Sequence, residues 1–169
     1  MQTVIAVCVV KNSGKTALLT KLVSKLSADG SKIAVIKHDG HDFDCDMPGT
    51  DTYRFAEHGA YGTACFSGSR SFVQRIGTQE SYEDLIRCFP EADIIFIEGA
   101  KDSDYDKIEV IRKGISTEPA SCENGRFLIA TDLPGEMFDE ETMDINDVCC
   151  IADRIKELIR RKSIETCQN

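Results

Sequence analysis

The sequence predicts an α/β fold, a mostly parallel sheet with helices on both faces. Three observations carry this reading. Val4–Val10 and Asp93–Ile97 are uninterrupted apolar runs of the kind that strands buried on both sides require. Strand-like runs alternate with segments whose apolar residues recur at helical spacing. Polar, glycine and titratable residues collect just after the runs, at 10–16, 37–51, 98–101 and 131–132. In such a sheet, ligands bind outside the carboxyl ends of the strands.

Taken in order, Thr3–Val9 reads as a buried strand. Lys15–Ala28 reads as a helix with Leu18, Leu19, Leu22, Val23 and Leu26 on one face. Asp29-Gly30 ends it, since glycine supplies a left-handed C-terminal cap. Lys32–Ile36 is a second strand, and residues 37–50 are too polar and too rich in Asp, Gly and Pro for a regular element. Asp51–His58 reads as a short helix stopped by Gly59, followed by short strands Thr63–Ser67 and Ser71–Arg75 around Gly68. Tyr82, Leu85, Ile86 and Phe89 place a helix over Ser81–Phe89. Asp93–Ile97 is a strand, Lys107–Arg112 a weaker one, residues 116–125 a loop and Arg126–Thr131 another strand. A last helix carries the stripe Val148, Ile151, Ala152, Ile155, Leu158 and Ile159 and is expected to end at Arg160, Arg161 and Lys162, where cations suit the helix dipole.

The 169 residues, 41% hydrophobic and 29% charged, fit one nucleotide-binding domain over 1–169. A net charge of −9 argues against nucleic acid or an anionic membrane as partner. It does not oppose nucleotide binding, which a local nest of N–H groups provides inside an acidic chain. No apolar run approaches a membrane span, and a strand starts almost at once, so no signal peptide is expected. Eight cysteines include no Cys-x-x-Cys, which removes the usual zinc and redox patterns. Cys8 and Cys65, in apolar runs, are expected to pack as small hydrophobes, and Cys149 and Cys150 to be ordinary helix residues in a reducing cytoplasm.

Asn12-Ser13-Gly14-Lys15-Thr16 lies between the first strand and the first helix. Gly-Lys-Thr in that setting is the phosphate-gripping half of a P-loop: N–H groups and the helix dipole face phosphate, Lys15 reaches the terminal phosphates and Thr16 offers its hydroxyl to Mg²⁺. The full pattern wants glycine where this chain has Val9, which predicts either a different turn or backbone strain of about 1–3 kcal/mol. Asn12 eases the turn, because asparagine tolerates left-handed geometry. Glu98-Gly99 after an apolar strand has the form of a second nucleotide motif, with Glu98 holding Mg²⁺ directly or through water. Lys101 is a contact to phosphate or substrate, or else a solvated surface lysine.

The segment from His38 to Asp51 is the densest polar stretch. Asp42, Asp44 and Asp46 alternate as in a calcium loop, but Met47 and Tyr53 stand where glycine and glutamate are needed. His38 and His41 lack the spacing of a closed zinc site. The reading favoured is a switch beside the triphosphate giving one aspartate, Asp46 or next Asp39, to Mg²⁺ or to orienting water. A purely solvated acidic loop is the alternative. A nucleophile elbow and a Gly-x-Gly-x-x-Gly after the first strand are both absent.

These segments together resemble the molybdopterin-guanine dinucleotide biosynthesis adapter family, MobB. The resemblance lies in Asn12–Thr16, Ile36-Lys-His-Asp-Gly-His41-Asp-Phe-Asp-Cys-Asp46 and Pro48-Gly49-Thr-Asp51, then Arg54 and Gly59-Ala60. It continues in Ile97-Glu-Gly-Ala-Lys101, Lys107-Ile-Glu-Val-Ile-Arg112 and Asp144-Ile-Asn-Asp-Val148. It implies a P-loop NTPase three-layer α/β/α fold that often dimerises, GTP and Mg²⁺ as ligands, and weak hydrolysis. It also implies a cytoplasmic role beside the guanylyltransferase that joins GMP to molybdenum cofactor, with molybdopterin a further candidate ligand. By position, Lys15 and Thr16 carry the phosphate and metal roles and Glu98 the acid. Lys37, His38, Asp39, Gly99 and Lys101 complete the expected nucleotide-binding set. Asp132 falls where the family has a Ser-Asp, as a guanine reader or an ordinary loop aspartate. Val9, Lys11 and Thr131 depart from the family pattern.

Three other readings stay open. A small-molecule kinase would need a lid of arginines, for which Arg70 and Arg75 are the nearby candidates. A GTPase metallochaperone would use His38, His41 and the cysteines. A degenerate P-loop kept as a dimerising module rests on Val9.

Overall fold

The computed structural model describes residues 2–10, 14–41 and 43–167. The chain divides into two compact units, Met1–His38 with Leu85–Asn169, and Asp39–Asp84. The first holds strands β1 (Thr3–Val9), β2 (Ile33–Lys37), β5 (Ile94–Glu98), β6 (Asp106–Ile111), β7 (Arg126–Thr131) and β8 (Thr142–Asp144). It also holds helices α1 (Lys15–Ala28) and α4 (Val148–Cys167). The second holds α2 (Asp51–Glu57) and a hairpin of β3 (Gly62–Phe66) and β4 (Ser71–Arg75). Helix α3 (Tyr82–Arg87) spans the division.

The large sheet runs β2-β5-β1-β6-β7-β8 and every pairing in it is parallel. From β1 the chain leaves toward β2, on the far side of β5; from β5 it leaves toward β6, on the other side of β1. That reversal puts a crevice at the carboxyl end of β1, the place where open α/β sheets bind ligands.

Alternation along the strands fills both faces. Ile5, Val7, Ile94, Phe96, Ile108, Val110, Leu128 and Ala130 join Leu18, Leu19, Leu22 and Leu26 of α1 and Ile151, Ala152 and Ile155 of α4 in one core. On the opposite face Ala6, Cys8, Ile95, Ile97, Ile111 and Ile129 are equally buried, and so are the charged Lys107 and Glu109 of β6. Both charges are hydrogen-bonded by backbone: Glu109 accepts N–H groups of Ala120 and Ser121 at 3.0 and 3.1 Å, and the Lys107 ammonium donates to the carbonyls of Tyr105 and Asn124. Buried charges survive only when paired in this way. They also pin the 113–125 segment across the sheet. This is the P-loop NTPase α/β architecture the sequence implies.

Beyond shifts of one or two residues at element ends such as those of β2, α3 and β6, four details differ from the sequence reading. Val9 is the last residue of β1, paired with Val110, and Ala100 is the one non-glycine among the described residues at positive φ. The strand therefore runs through Val9 without strain there, and Lys11, Asn12 and Ser13 lie outside the described residues. Helix α4 runs on to Cys167 and has no basic residue in its last turn; Arg161 pairs instead with Glu157 and Lys162 with Asp106. Cys65 is exposed, as are its β3 neighbours Ala64 and Phe66, so neither face of that part of the hairpin strand is buried. Strand β8 and a 3₁₀ turn at Gly135–Met137 were not expected, since three residues are too few to show a period.

Candidate functional site

Helix α1 opens on Gly14, whose φ of 84° and ψ of 20° are left-handed. Only glycine takes that conformation freely. It gives the helix no capping side chain, and the first turn contains no acid. The leading N–H groups of α1 therefore face the crevice beside β1 with the positive end of the dipole behind them. Thr16 is exposed in that first turn, and Thr20 donates to its carbonyl at 2.7 Å.

Glu98 closes β5, level with Val7 of β1 and Lys37 of β2. Its Oε1 lies 3.2 Å from Nζ of Lys15, and both side chains are largely shielded, at 22% and 12% exposure. This ion pair joins the P-loop lysine to the acid of the neighbouring strand. The chain then turns sharply through Gly99 (φ 118°) and Ala100 (φ 55°). Gly99 N–H donates to Val7 at 3.1 Å, and Ser103 donates to the Ala100 carbonyl from both its N–H and its hydroxyl. Exposed Lys101 follows, its carbonyl accepting the Cys122 N–H at 3.1 Å.

Below this turn, Cys8 Sγ donates to the Gly99 carbonyl at 3.1 Å. Burial, aided by the Glu109 carboxylate, pushes its thiol up to about 12. Cys8 is thus an inert packing group, as a small hydrophobe should be.

Across β1 from Glu98, Arg112 follows β6 and Asp132 follows β7. Asp132 Oδ1 accepts the Lys113 N–H at 2.7 Å, and Oδ2 is 4.0 Å from Arg112 Nε. A pocket of about 280 Å³ adjoins them, lined by Thr131, Asp132, Leu133, Gly135, Thr142, Met143 and Asp144. Arg112 has no place in the sequence-based site.

Gly14, Lys15, Thr16, Glu98, Gly99 and Asp132 thus share one edge of the large sheet, with Lys101 just beyond, Lys37 ending β2 and His38 after it. Asn12 and Ser13 lie outside the described residues. Asp39 and Asp46 belong to the other unit. There Asp46 Oδ1 accepts the Met47 N–H at 2.8 Å and the Thr50 hydroxyl at 3.2 Å, while its buried Oδ2 has no partner among the described residues. Among those residues no group of three or more His, Cys, Asp or Glu is arranged as a metal cage.

The family profile of MobB, molybdopterin guanine dinucleotide synthesis protein B, matches residues 4–132. The chain belongs to the MobB family. It is 34% identical over 158 residues to the molybdopterin-guanine dinucleotide biosynthesis adapter protein of Escherichia coli K12, covering 89% of this chain and 90% of that protein. The protein of the same name from Haemophilus influenzae is 30% identical over 147 residues, with 85% and 82% covered. Solved MobB structures share the fold. Bacillus subtilis MobB superposes with a TM-score of 0.71 at 22% identity, covering 92% of this chain and 96% of that one. The Bacillus stearothermophilus homologue gives 0.69 at 17%, covering 94% and 98%. The MobB profile therefore spans every strand-end segment of the site, from β1 to Asp132.

Proposed function

We propose that this MobB-family chain is an adapter in molybdopterin guanine dinucleotide biosynthesis that binds GTP with Mg²⁺ at the N-terminus of α1. One observation carries the reading: a long helix opened by a left-handed glycine, uncapped, whose first lysine is paired with the acid of the adjacent strand. The family's adapter name supports the role.

In this reading the N–H groups after Gly14 and the Lys15 ammonium hold phosphate oxygens. The donor set fits Mg²⁺, because a hydroxyl (Thr16) and a carboxylate (Glu98) are hard oxygen ligands and Mg²⁺ keeps several waters beside only one or two protein ligands. Bound there, Mg²⁺ neutralises phosphate charge and orients the triphosphate. Lys15 exchanges part of its pairing with Glu98 for phosphate. Within the same unit, Lys37, His38, Gly99 and Lys101 lie around the nucleotide, while Asp39 and Asp46 belong to the other unit. The base is assigned to the pocket beside Asp132. Asp132 lines that pocket, and its carboxylate keeps acceptor capacity after taking the Lys113 N–H.

Hydrolysis is slow and depends on a partner, a molybdenum cofactor guanylyltransferase, with molybdopterin a further ligand to test. The chain works as a homodimer in the cytoplasm. Calorimetry with GTP and Mg²⁺, with ATP as the competitor, tests the binding: micromolar heat for GTP is expected. Silence at millimolar nucleotide sinks the proposal. Pull-down of a guanylyltransferase tests the adapter role.

A further inference from the structure

We propose that Arg112 is a second phosphate-binding cation of this site, aimed by Asp132 as a positioning residue; this rests on the nucleotide reading above. Arg112 is the first residue after β6, next to β1 on the side away from Glu98. Its guanidinium lies over the start of α1: a β-carbon placed on Gly14 would fall 2.9 Å from Nη1 and 3.7 Å from Cζ. The donors of Arg112 therefore lie beside Gly14, on which α1 opens, close to the end whose N–H groups would hold an anion.

One feature fixes the backbone of Arg112 and a second biases its side chain. The Arg112 carbonyl accepts the N–H groups of Ile115 and Ser116 at 3.0 and 3.1 Å, closing a turn that fixes its backbone. Asp132 takes the Lys113 N–H and presents its other oxygen to Nε at 4.0 Å. That leaves the two Nη ends for the crevice. At 4.0 Å and 40% exposure the pair is beyond hydrogen-bond length and adds little stability; it biases the guanidinium toward Asp132 and leaves it able to move.

Charge gives the reason for a second cation. Lys15 is shared with Glu98 at 3.2 Å, so one half-neutralised ammonium would face a triphosphate carrying several negative charges. A guanidinium offers five donors in a plane and grips phosphate oxygens two at a time, which an ammonium cannot. A residue so placed also serves the charge that develops when the terminal phosphoryl departs.

The test is competition of GTP and GMP against a fluorescent GTP analogue with Mg²⁺, on the full chain. Wild type, Lys15→Ala, Arg112→Ala, Arg112→Lys and Asp132→Asn are compared, with thermal midpoints confirming folding. The expected result is loss of GTP binding in Lys15→Ala and a roughly tenfold or greater loss in Arg112→Ala. Binding of GMP should change less, Arg112→Lys should recover part, and Asp132→Asn should lose less in the same pattern. If Lys15→Ala abolishes binding while both Arg112 variants stay within about twofold of wild type, the role of Arg112 is overturned and the nucleotide reading stands. An equal loss for GTP and GMP overturns it too. If wild type binds no nucleotide, the nucleotide reading fails first and this inference with it.

Discussion

Helices α1 and α2 begin in opposite ways. Thr50 caps α2 in extended geometry, accepting the Tyr53 N–H at 3.3 Å, and Asp51 stands in the first turn. Asp46 receives the Thr50 hydroxyl in turn. A side-chain cap and a first-turn acid, two local devices for finishing a helix, are both present at this seven-residue element. The fourteen-residue α1, packed into the main core, has none of them. It starts on left-handed Gly14 with no cap and no acid, and its first side chain is a lysine, the wrong sign for the dipole. Having glycine in place of a capping side chain costs roughly a few tenths of a kcal/mol. A capping oxygen would occupy the N–H groups and an acid would repel phosphate. On the nucleotide reading, the difference separates an end built for stability from one left open for an anion.

The strongest way to break this comparison is Lys15→Ala. On the nucleotide reading it weakens GTP by about 100-fold, or ~2.8 kcal/mol, while the thermal midpoint hardly moves. The same loss in stability with no loss of binding would turn Lys15 into a structural partner of Glu98.

Next in size is Gly14→Ala. A left-handed φ of 84° costs an L-residue about 1–2 kcal/mol, which denaturant titration reads directly. Its β-carbon also meets the Arg112 guanidinium, which can swing away, so the backbone rather than the contact sets the cost. Thr50→Ala, at the finished helix, loses about 1 kcal/mol and leaves nucleotide affinity unchanged. If Thr50→Ala weakens GTP as well, the two helix ends are not functionally separate.

These ends differ too in how far they could be read from sequence. Gly14-Lys15-Thr16 is a local motif, and α1 falls on Lys15–Ala28 as its leucine spacing predicts. Glu98 was legible because an apolar run before an acid needs no distant partner. The β6 end was not. Lys107 and Glu109 made the run look like a weak strand extending through Arg112, whereas their charges are buried against loop backbone and the strand stops at Ile111. One residue of boundary decided whether Arg112 counted as strand or as strand end. Its meeting with Gly14 also depends on β1 and β6 being neighbours, which no local pattern encodes. In the other unit, the Asp-rich loop was legible as irregular. The use of Asp46 at the start of α2 follows from turn geometry that composition alone does not fix.

The smallest expected effect lies at the far end of α1, which is finished as fully as α2's beginning. The C-cap Asp29 pairs with Lys25 of its own helix at 2.8 Å and with Lys156 of α4 at 2.5 Å. The hydrogen bond from Lys156, then that from Lys25, holds the Asp29 carboxyl below its ordinary range. A carboxyl lowered in the folded state adds stability above its unfolded pKa and loses it as pH falls through the folded value. Asp29→Asn should therefore destabilise at pH 7 by less than Thr50→Ala, and the gap from wild type should close as pH drops below the usual carboxylate range. Salt should narrow it as well, since the groups are near solvent. A gap that persists at low pH would mean that Asp29 acts through its shape at the helix end, as asparagine also could, and not through its charge.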